Sequence, residues 1–266
     1  MPERQIGAAF DDGAAEFELL APSLWNPMGN ALAAAAGISV GDRILDACCG
    51  SGATTIPAAQ YAGPAGHVDG VDLAAGLLAL AQGKADTLSM ENVSLHHADV
   101  ISWTSPEPYD VALCAYGVFF LPAMDADTAH ILSTLRSGGR FALSTWASGA
   151  LLPFSELFRQ ECLREDPTLA NRMPSGSRNA ERIDTPEKLT SWLEGLGLEQ
   201  VKVSPTPAQV QLVPSLAWSL VAGSPLRTLL PADAAAAARV KERFLAGLGD
   251  EYMLNADTLI ATAVKP

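Results

Sequence analysis

Positive charge is scarce in this chain. Seventeen Lys and Arg stand against 30 Asp and Glu in 266 residues, a formal net charge of -13, and no two basic residues are adjacent. Binding to a nucleic-acid backbone depends on clustered Lys and Arg that displace counterions, so neither nucleic acid nor an anionic membrane is expected as a partner. Cysteine is scarce too: Cys48, Cys49, Cys114 and Cys162 have no metal-ligand spacing. They read as reduced, buried thiols of a cytoplasmic protein, with no disulfide framework and no metal site expected. Long apolar runs are missing, since the Ala-rich stretch Ala31–Ala36 is far too short to span a bilayer. The N-terminus carries Glu3, Arg4, Asp11 and Asp12 and has no apolar signal core. Internal repeats and low-complexity linkers are absent, and the oligomeric state is left open, a homodimer included.

What is present is enough chain for one large α/β domain, organised around Arg43–Gly52. Ile44 to Ala47 is a short apolar run, Gly50 and Gly52 make a tight turn, and Thr54 to Ala62 has a helical pattern. Strand, glycine turn and helix form the unit with which open α/β sheets hold nucleotide-like ligands at a strand's carboxyl end. The glycines permit close backbone approach, and the helix start presents free N–H groups to an anion. A dinucleotide would want a third glycine, but Thr55 stands in that place, and the Lys-Ser/Thr of a kinase-type loop is missing.

The periodicity places the other elements around this unit. Phe10 to Gly37 reads as helix, with Phe17, Leu20, Leu24, Trp25, Met28 and Leu32 on one face and breaks at Pro22 and Pro27. Strands are expected at His67–Asp72, Asn92–His96, Tyr109–Ala115, Arg140–Trp146, Leu198–Val203 and Thr258–Val264. Helices are expected at Ala74–Leu88, after an Asp125 cap and up to Gly139, at Phe154–Arg164, from a Thr185 cap with Pro186 at the first turn, and over Trp218–Gly247 with breaks at Pro225 and Pro231. Acids recur at strand ends: Asp46, then Asp72 26 residues later, then Asp99. A carboxylate just past the second strand is placed to accept from both hydroxyls of a ribose.

The ordered set covers Gly41 to Trp146. It comprises Leu45-Asp46-Ala47-Cys48-Cys49-Gly50-Ser51-Gly52, Asp72, Asp99-Val100, the aromatic stretch Tyr116–Pro122, and Leu135-Arg136-Ser137-Gly138-Gly139-Arg140-Phe141. It resembles the class I S-adenosylmethionine (SAM) methyltransferases of ubiquinone and menaquinone biosynthesis and their natural-product relatives. The departure is Cys48, where many members have a first glycine. The resemblance implies a Rossmann-like, doubly wound α/β fold: a seven-stranded, mostly parallel sheet with the last strand antiparallel and helical lid insertions. It implies one domain over residues 1–266, with a helical cap (1–37), a SAM-binding core (38–147) and insertions (148–184 and 210–250) over the substrate cleft.

The same resemblance assigns roles. Ala47, Cys48, Gly50 and Gly52 would line the methionine part of SAM, and Asp46 would anchor the loop and the ligand's amino group. Asp72 would take the ribose hydroxyls with Leu73 beside the adenine. Asp99 and Val100 would hold the adenine edge, and Cys114 and Ala115 would face the sulfonium. Phe17, Trp25, Tyr116, Phe119 and Trp146 are the candidate substrate contacts, and Tyr116 is the candidate catalytic group. None of His67, His96, His97 and His130 announces itself as a general base. The expected reaction is methyl transfer from SAM to a small, mostly apolar metabolite, O-methylation ahead of N or C, releasing S-adenosylhomocysteine (SAH). Two enzymatic alternatives stand beside it: a SAM-fold protein turned to cyclisation or rearrangement, and an NAD-dependent enzyme. A non-enzymatic binding module is disfavoured by the run of strand-end acids.

Overall fold

The computed structural model describes residues 3–266. Nine strands occur among the described residues: β1 Arg43–Ala47, β2 His67–Asp72, β3 Val93–His97, β4 Tyr109–Ala115, β5 Leu135–Trp146, β6 Glu199–Thr206, β7 Gln209–Leu212, β8 Tyr252–Asn255 and β9 Thr258–Val264. Helices α1 Glu3–Asp11, α2 Ala14–Leu19 and α3 Asn26–Ala35 precede the sheet. Then come α4 Thr55–Ala62, α5 Ala75–Thr87, α6 Met124–Ser133, α7 Leu152–Glu165, α8 Ser177–Ala180, α9 Pro186–Gly195, α10 Pro214–Ala222 and α11 Ala234–Leu248.

Seven strands form one sheet in the order β3-β2-β1-β4-β5-β9-β6. All its pairings are parallel except those of β9, which runs antiparallel to both β5 and β6. This is the Rossmann-like sheet expected from the sequence. The chain leaves β3 at one edge and returns beside β1 as β4, which opens a crevice at the carboxyl ends of β1 and β4.

The alternation of side chains explains why these runs are strands buried on both faces. In β4, Val111 and Leu113 enter the core shared with α3 and α4, while Ala112 and Cys114 enter the core shared with α6 and α9. Ile44 and Leu45 of β1, and Ala142 and Leu143 of β5, divide in the same way. A third core lies apart from both and belongs to the flanking segments: Leu20 and Leu24, Phe154 and Phe158 of α7, Leu220 of α10, and Val240 and Phe244 of α11.

Three expectations change. The helix expected to run to Gly139 stops at Ser133, and β5 begins at Leu135, because the Lys265 ammonium takes the carbonyls of Leu132 and Leu135 (2.9 and 2.6 Å). Asp125 is not its cap: it lies in the first turn of α6, where it accepts from Arg182 and Trp192, while Asp127 accepts from the Ala123 N–H. The insertion expected as helical from 210 also contributes a strand. Gln209–Leu212 pairs antiparallel with Tyr252–Asn255 as a separate two-stranded sheet, with Val210, Leu212 and Leu254 turned into the third core. In the N-terminal region, Pro22 and Pro27 each sit in the first turn of a helical piece, with a π-turn over Ala21–Trp25 between α2 and α3.

Candidate functional site

The turn after β1 is built on left-handed backbone. Cys48 (φ 58), Gly50 (φ 54) and Gly52 (φ 83) all have positive φ. For Gly50 and Gly52 this is unstrained, whereas the cysteine occupies a region that L side chains rarely adopt. Beneath the turn, Asp46 is fully buried. Its Oδ2 accepts from the Thr55 hydroxyl at the start of α4 (2.6 Å), and its Oδ1 has no partner among the described residues. Burial, opposed by the Thr55 hydrogen bond and assisted by the nearby Asp72 carboxylate, pushes Asp46 up to about 7.

Asp72 closes the turn from β2. One carboxylate oxygen accepts from the Gly50 N–H and the other from the Ala74 N–H, both at 2.8 Å. Burial raises its pKa against the pull of those backbone donors. Each oxygen keeps a further lone pair, so the carboxylate that braces the loop can also accept from a ligand.

The turn opens into a cavity of about 390 Å³. Nine of the residues singled out in the sequence line it: Phe17, Trp25, Cys48, Gly50, Asp72, Ala115, Tyr116, Phe119 and Trp146. Its wall is aromatic. Phe17 stacks on Trp25 (4.7 Å between centroids), Tyr116 stacks on Trp146 (4.3 Å), and Trp25 meets Tyr116 edge-on at 6.0 Å. The Trp25 indole N–H donates to the Phe17 carbonyl, which fixes the first pair. Tyr116 has positive φ (51), and its hydroxyl is bound to Thr258 on β9 (2.6 Å). Burial drives its pKa further upward than that hydrogen bond lowers it, so the phenol stays protonated at neutral pH.

The remaining predicted residues lie off the cavity surface. Ala47 and Cys114 are buried in the sheet beneath it. Gly52 faces α5, where a Cβ would lie 3.1 Å from that of Ala81, so its freedom serves packing. Leu73 is covered by α1, since a Cβ at Gly7 would approach it to 3.0 Å. Asp99 caps its own turn by accepting from the Ile101 N–H (3.2 Å), and Val100 is buried behind it. The histidines are held elsewhere. His96 bonds Asp69 (2.8 Å), with His67 on the same carboxylate at 3.5 Å, while His97 and His130 bond the carbonyls of Leu73 and Trp103. Phe154, Phe158 and Trp218 belong to the third core and its margin, not to the cavity.

Several contributors escaped the sequence reading. Lys84 on α5 donates to the Ser51 carbonyl (2.8 Å) and to Glu18 on α2 (2.9 Å), tying the glycine turn to the N-terminal helices. Its signal was that it is the one basic residue of α5. Gly29 of α3 lines the cavity and lets that helix lie on the turn, for a Cβ there would be 2.2 Å from the Ala53 carbonyl oxygen. Ser155 and Arg159 of α7 and Met173 to Ser177 also line the cavity; they lie in the 148–184 insertion expected over the cleft, but no motif singled them out individually.

Residues 44–139 match the model of a methyltransferase domain, which spans the turn and β1 through the start of β5. The aklanonic acid methyltransferase DauC of Streptomyces sp. (strain C5) is 30% identical over 209 residues, covering 76% of this chain and 95% of that one. The chain belongs to the class I SAM-dependent methyltransferases. A demethylmenaquinone methyltransferase of Staphylococcus aureus (strain JH9) is 29% identical over 123 residues, 46% of this chain and 50% of the relative. In shape the methyltransferase resembles the YcgJ protein of Bacillus subtilis, with a TM-score of 0.60 at 15% identity over 90% of this chain and 98% of that one. The cofactor of this enzyme is therefore SAM, and SAH its product form, which sets the NAD reading aside. The site fits that cofactor: an open acceptor on Asp46 lies under a glycine turn that faces the cavity, with the Asp72 carboxylate beside it. No helix among the described residues is long and apolar enough to cross a membrane.

Proposed function

We propose that the enzyme transfers the methyl group of SAM to an oxygen of a small, mostly apolar acceptor held in the aromatic-walled cavity. The observation that carries this reading is the continuity of that cavity with the glycine turn and Asp72. Bound SAM would supply an electrophilic methyl, held by the turn after β1 with Asp46 and Asp72, to an acceptor oxygen that arrives ionised or gives its proton to solvent. The protein's part is alignment and exclusion of water, which is catalysis by positioning. Cys48, Gly50 and the buried Ala47 present the turn to the methionine part, with Gly52 shaping it. Asp46 offers its free oxygen toward the amino group. Asp72 would accept from the ribose, and Leu73, Asp99 and Val100, which lie just off the cavity surface, would back the adenine end. Ala115 with Cys114 faces the sulfonium, and Phe17, Trp25, Tyr116, Phe119 and Trp146 hold the acceptor.

The cap (1–37) and the insertions (148–184 and 210–250) serve as the lid. Supporting this, Phe17, Trp25, Ser155 and Leu226 of those segments line the cavity. O-methylation is favoured because no histidine lines the cavity among the described residues, Tyr116 keeps its own proton, and the lining carboxylates are either tied to the turn (Asp72) or exposed to solvent (Glu156 and Glu181). The names of DauC and of the demethylmenaquinone enzyme support a small metabolite, not a macromolecule, as acceptor, without bearing on which atom is methylated. A cytoplasmic setting agrees with four free thiols.

The test is label transfer from methyl-labelled SAM across three panels: nucleic acids, protein extract, and small phenols, acids and amines. Label confined to small oxygen acceptors, with stoichiometric SAH, is the expected result. Label in macromolecules would overturn the acceptor class, and turnover of substrate without SAH would establish rearrangement chemistry instead.

A further inference from the structure

Arg159 is the one basic residue among the described residues that line the cavity. It projects from α7, where Glu161, Arg164 and Glu165 are ion-paired and Glu156 is exposed to solvent and accepts from Gln160. Glu161 and Glu165 bind Arg243 and Arg239 of α11 at 2.7 and 2.6 Å, and Arg164 pairs with Glu161 at 3.2 Å. Arg159 differs. No carboxylate among the described residues lies within 4.0 Å of it, although acids outnumber basic residues 30 to 17 in the chain. Its Nη2 donates to the Ala170 carbonyl, which fixes the guanidinium, and its buried Nε has no partner among the described residues. A half-buried guanidinium costs free energy unless an anion compensates it. The wall around it is otherwise apolar or neutral apart from Asp72 at the glycine turn and Glu156 and Glu181, and the two glutamates are exposed to solvent, where their repulsion is screened.

We propose that Arg159 selects an acceptor that carries a carboxylate on an aromatic or polycyclic body. The guanidinium presents donors to the carboxylate, and the stacked pairs Phe17–Trp25 and Tyr116–Trp146 take the ring system. A fixed anchor on α7 would set which acceptor oxygen reaches the methyl group, so Arg159 acts as a specificity residue. This inference rests on the acceptor reading of the cavity given above.

The experiment is calorimetry of the SAH-saturated enzyme with 2-naphthoate, its neutral isostere 2-naphthamide, and 2-naphthylmethylamine. Wild type binds the carboxylate in preference to the amide. Arg159→Gln weakens the carboxylate on the order of tenfold to a hundredfold, the span of one charge-assisted hydrogen bond, and moves the amide by less than about twofold. Arg159→Lys, which keeps the charge, restores much of the carboxylate affinity. Equal loss for acid and amide in Arg159→Gln would assign Arg159 a purely structural role. Preference for the amine, or no binding of the carboxylate, would overturn the proposal as well. SAH affinity measured in the same titrations separates the two levels. An enzyme that binds SAH but ignores naphthoate loses only the Arg159 inference, whereas one that fails to bind SAH loses the cofactor-site reading.

Discussion

Cys48 holds a backbone angle (φ 58) that glycine would hold without strain, and its side chain packs with Cys114 around Gly117. A non-glycine residue there costs roughly 1–2 kcal/mol, while glycine would add about 0.5–1 kcal/mol of unfolded-state entropy. The two nearly offset, so Cys48→Gly should stay within about 1 kcal/mol of wild type in urea denaturation. Cys48→Val, β-branched at the same angle, should lose about 2 kcal/mol or more; equal stability of the two variants would show that the turn relaxes freely. Asp72 carries a different burden, because it braces Gly50 and Ala74 from the position proposed to meet the ribose. Asp72→Ala should weaken SAM and SAH alike by about 1.5–3 kcal/mol in calorimetry, the worth of a hydrogen bond to a charged group. Unchanged affinity would remove Asp72 from the ligand. Residues like these were legible because spacing from a glycine turn marks strand ends. Lys84 and Arg159 were not, since their roles arise from contacts 33 and 11 residues away that no local pattern encodes.

Between elements, the tightest constraint on the site is the crossing of α3 over the turn. Gly29 has no room for a side chain, with the Ala53 carbonyl oxygen 2.2 Å from where a Cβ would be. Gly29→Ala should therefore displace either the helix or the turn, at a cost of about 1–3 kcal/mol, the usual range for overpacking. A fall in SAM affinity should accompany the loss of thermal stability. Lowered stability with intact affinity would mean that α3 alone moves and the turn is held by Asp72. At this scale the sequence was most informative for β1 to β5, where apolar runs ended by glycine or acid leave little choice of period. It was least informative for β7 and β8. Each has four residues and pairs only with the other, and their partners are separated by α10 and α11, so nothing local distinguishes Gln209–Leu212 from the start of a helix. The early end of α6 was hidden for a similar reason, because the cation that satisfies its last carbonyls, Lys265, comes from the far end of the chain.

For the whole molecule, the charged groups divide into sets that respond to pH in opposite senses. Asp110 lies below its ordinary pKa because Arg136 and the Arg43 N–H outweigh its burial, and Asp125 does so because of Arg182 and Trp192. Stability from these acids is present above the usual carboxylate range and is lost as pH falls through their lowered values. Cys162 stands at the other end: burial pushes it up to about 12, so folding is favoured below pH 9 and loses support as pH rises from about 9 toward 12. Asp46 acts between them. Its pKa is about 7 when folded against 3.8 in the free side chain, so the folded state holds the extra proton across that interval. Its contribution to stability is therefore greatest below pH 3.8, declines as pH rises through the interval, and is flat above about 7. At about 1.4 kcal/mol per pKa unit the decline amounts to a few kcal/mol. Asp46→Asn, which mimics the protonated acid, should remove that decline. Urea midpoints taken between about pH 4.5 and 7.5 should shift less in the variant than in wild type, and equal shifts would place the proton on another group. In the wild type, a cationic amino group drawn to the free Oδ1 should expel the same proton. SAM binding near neutral pH should then release protons, visible as a buffer-dependent enthalpy that Asp46→Asn abolishes.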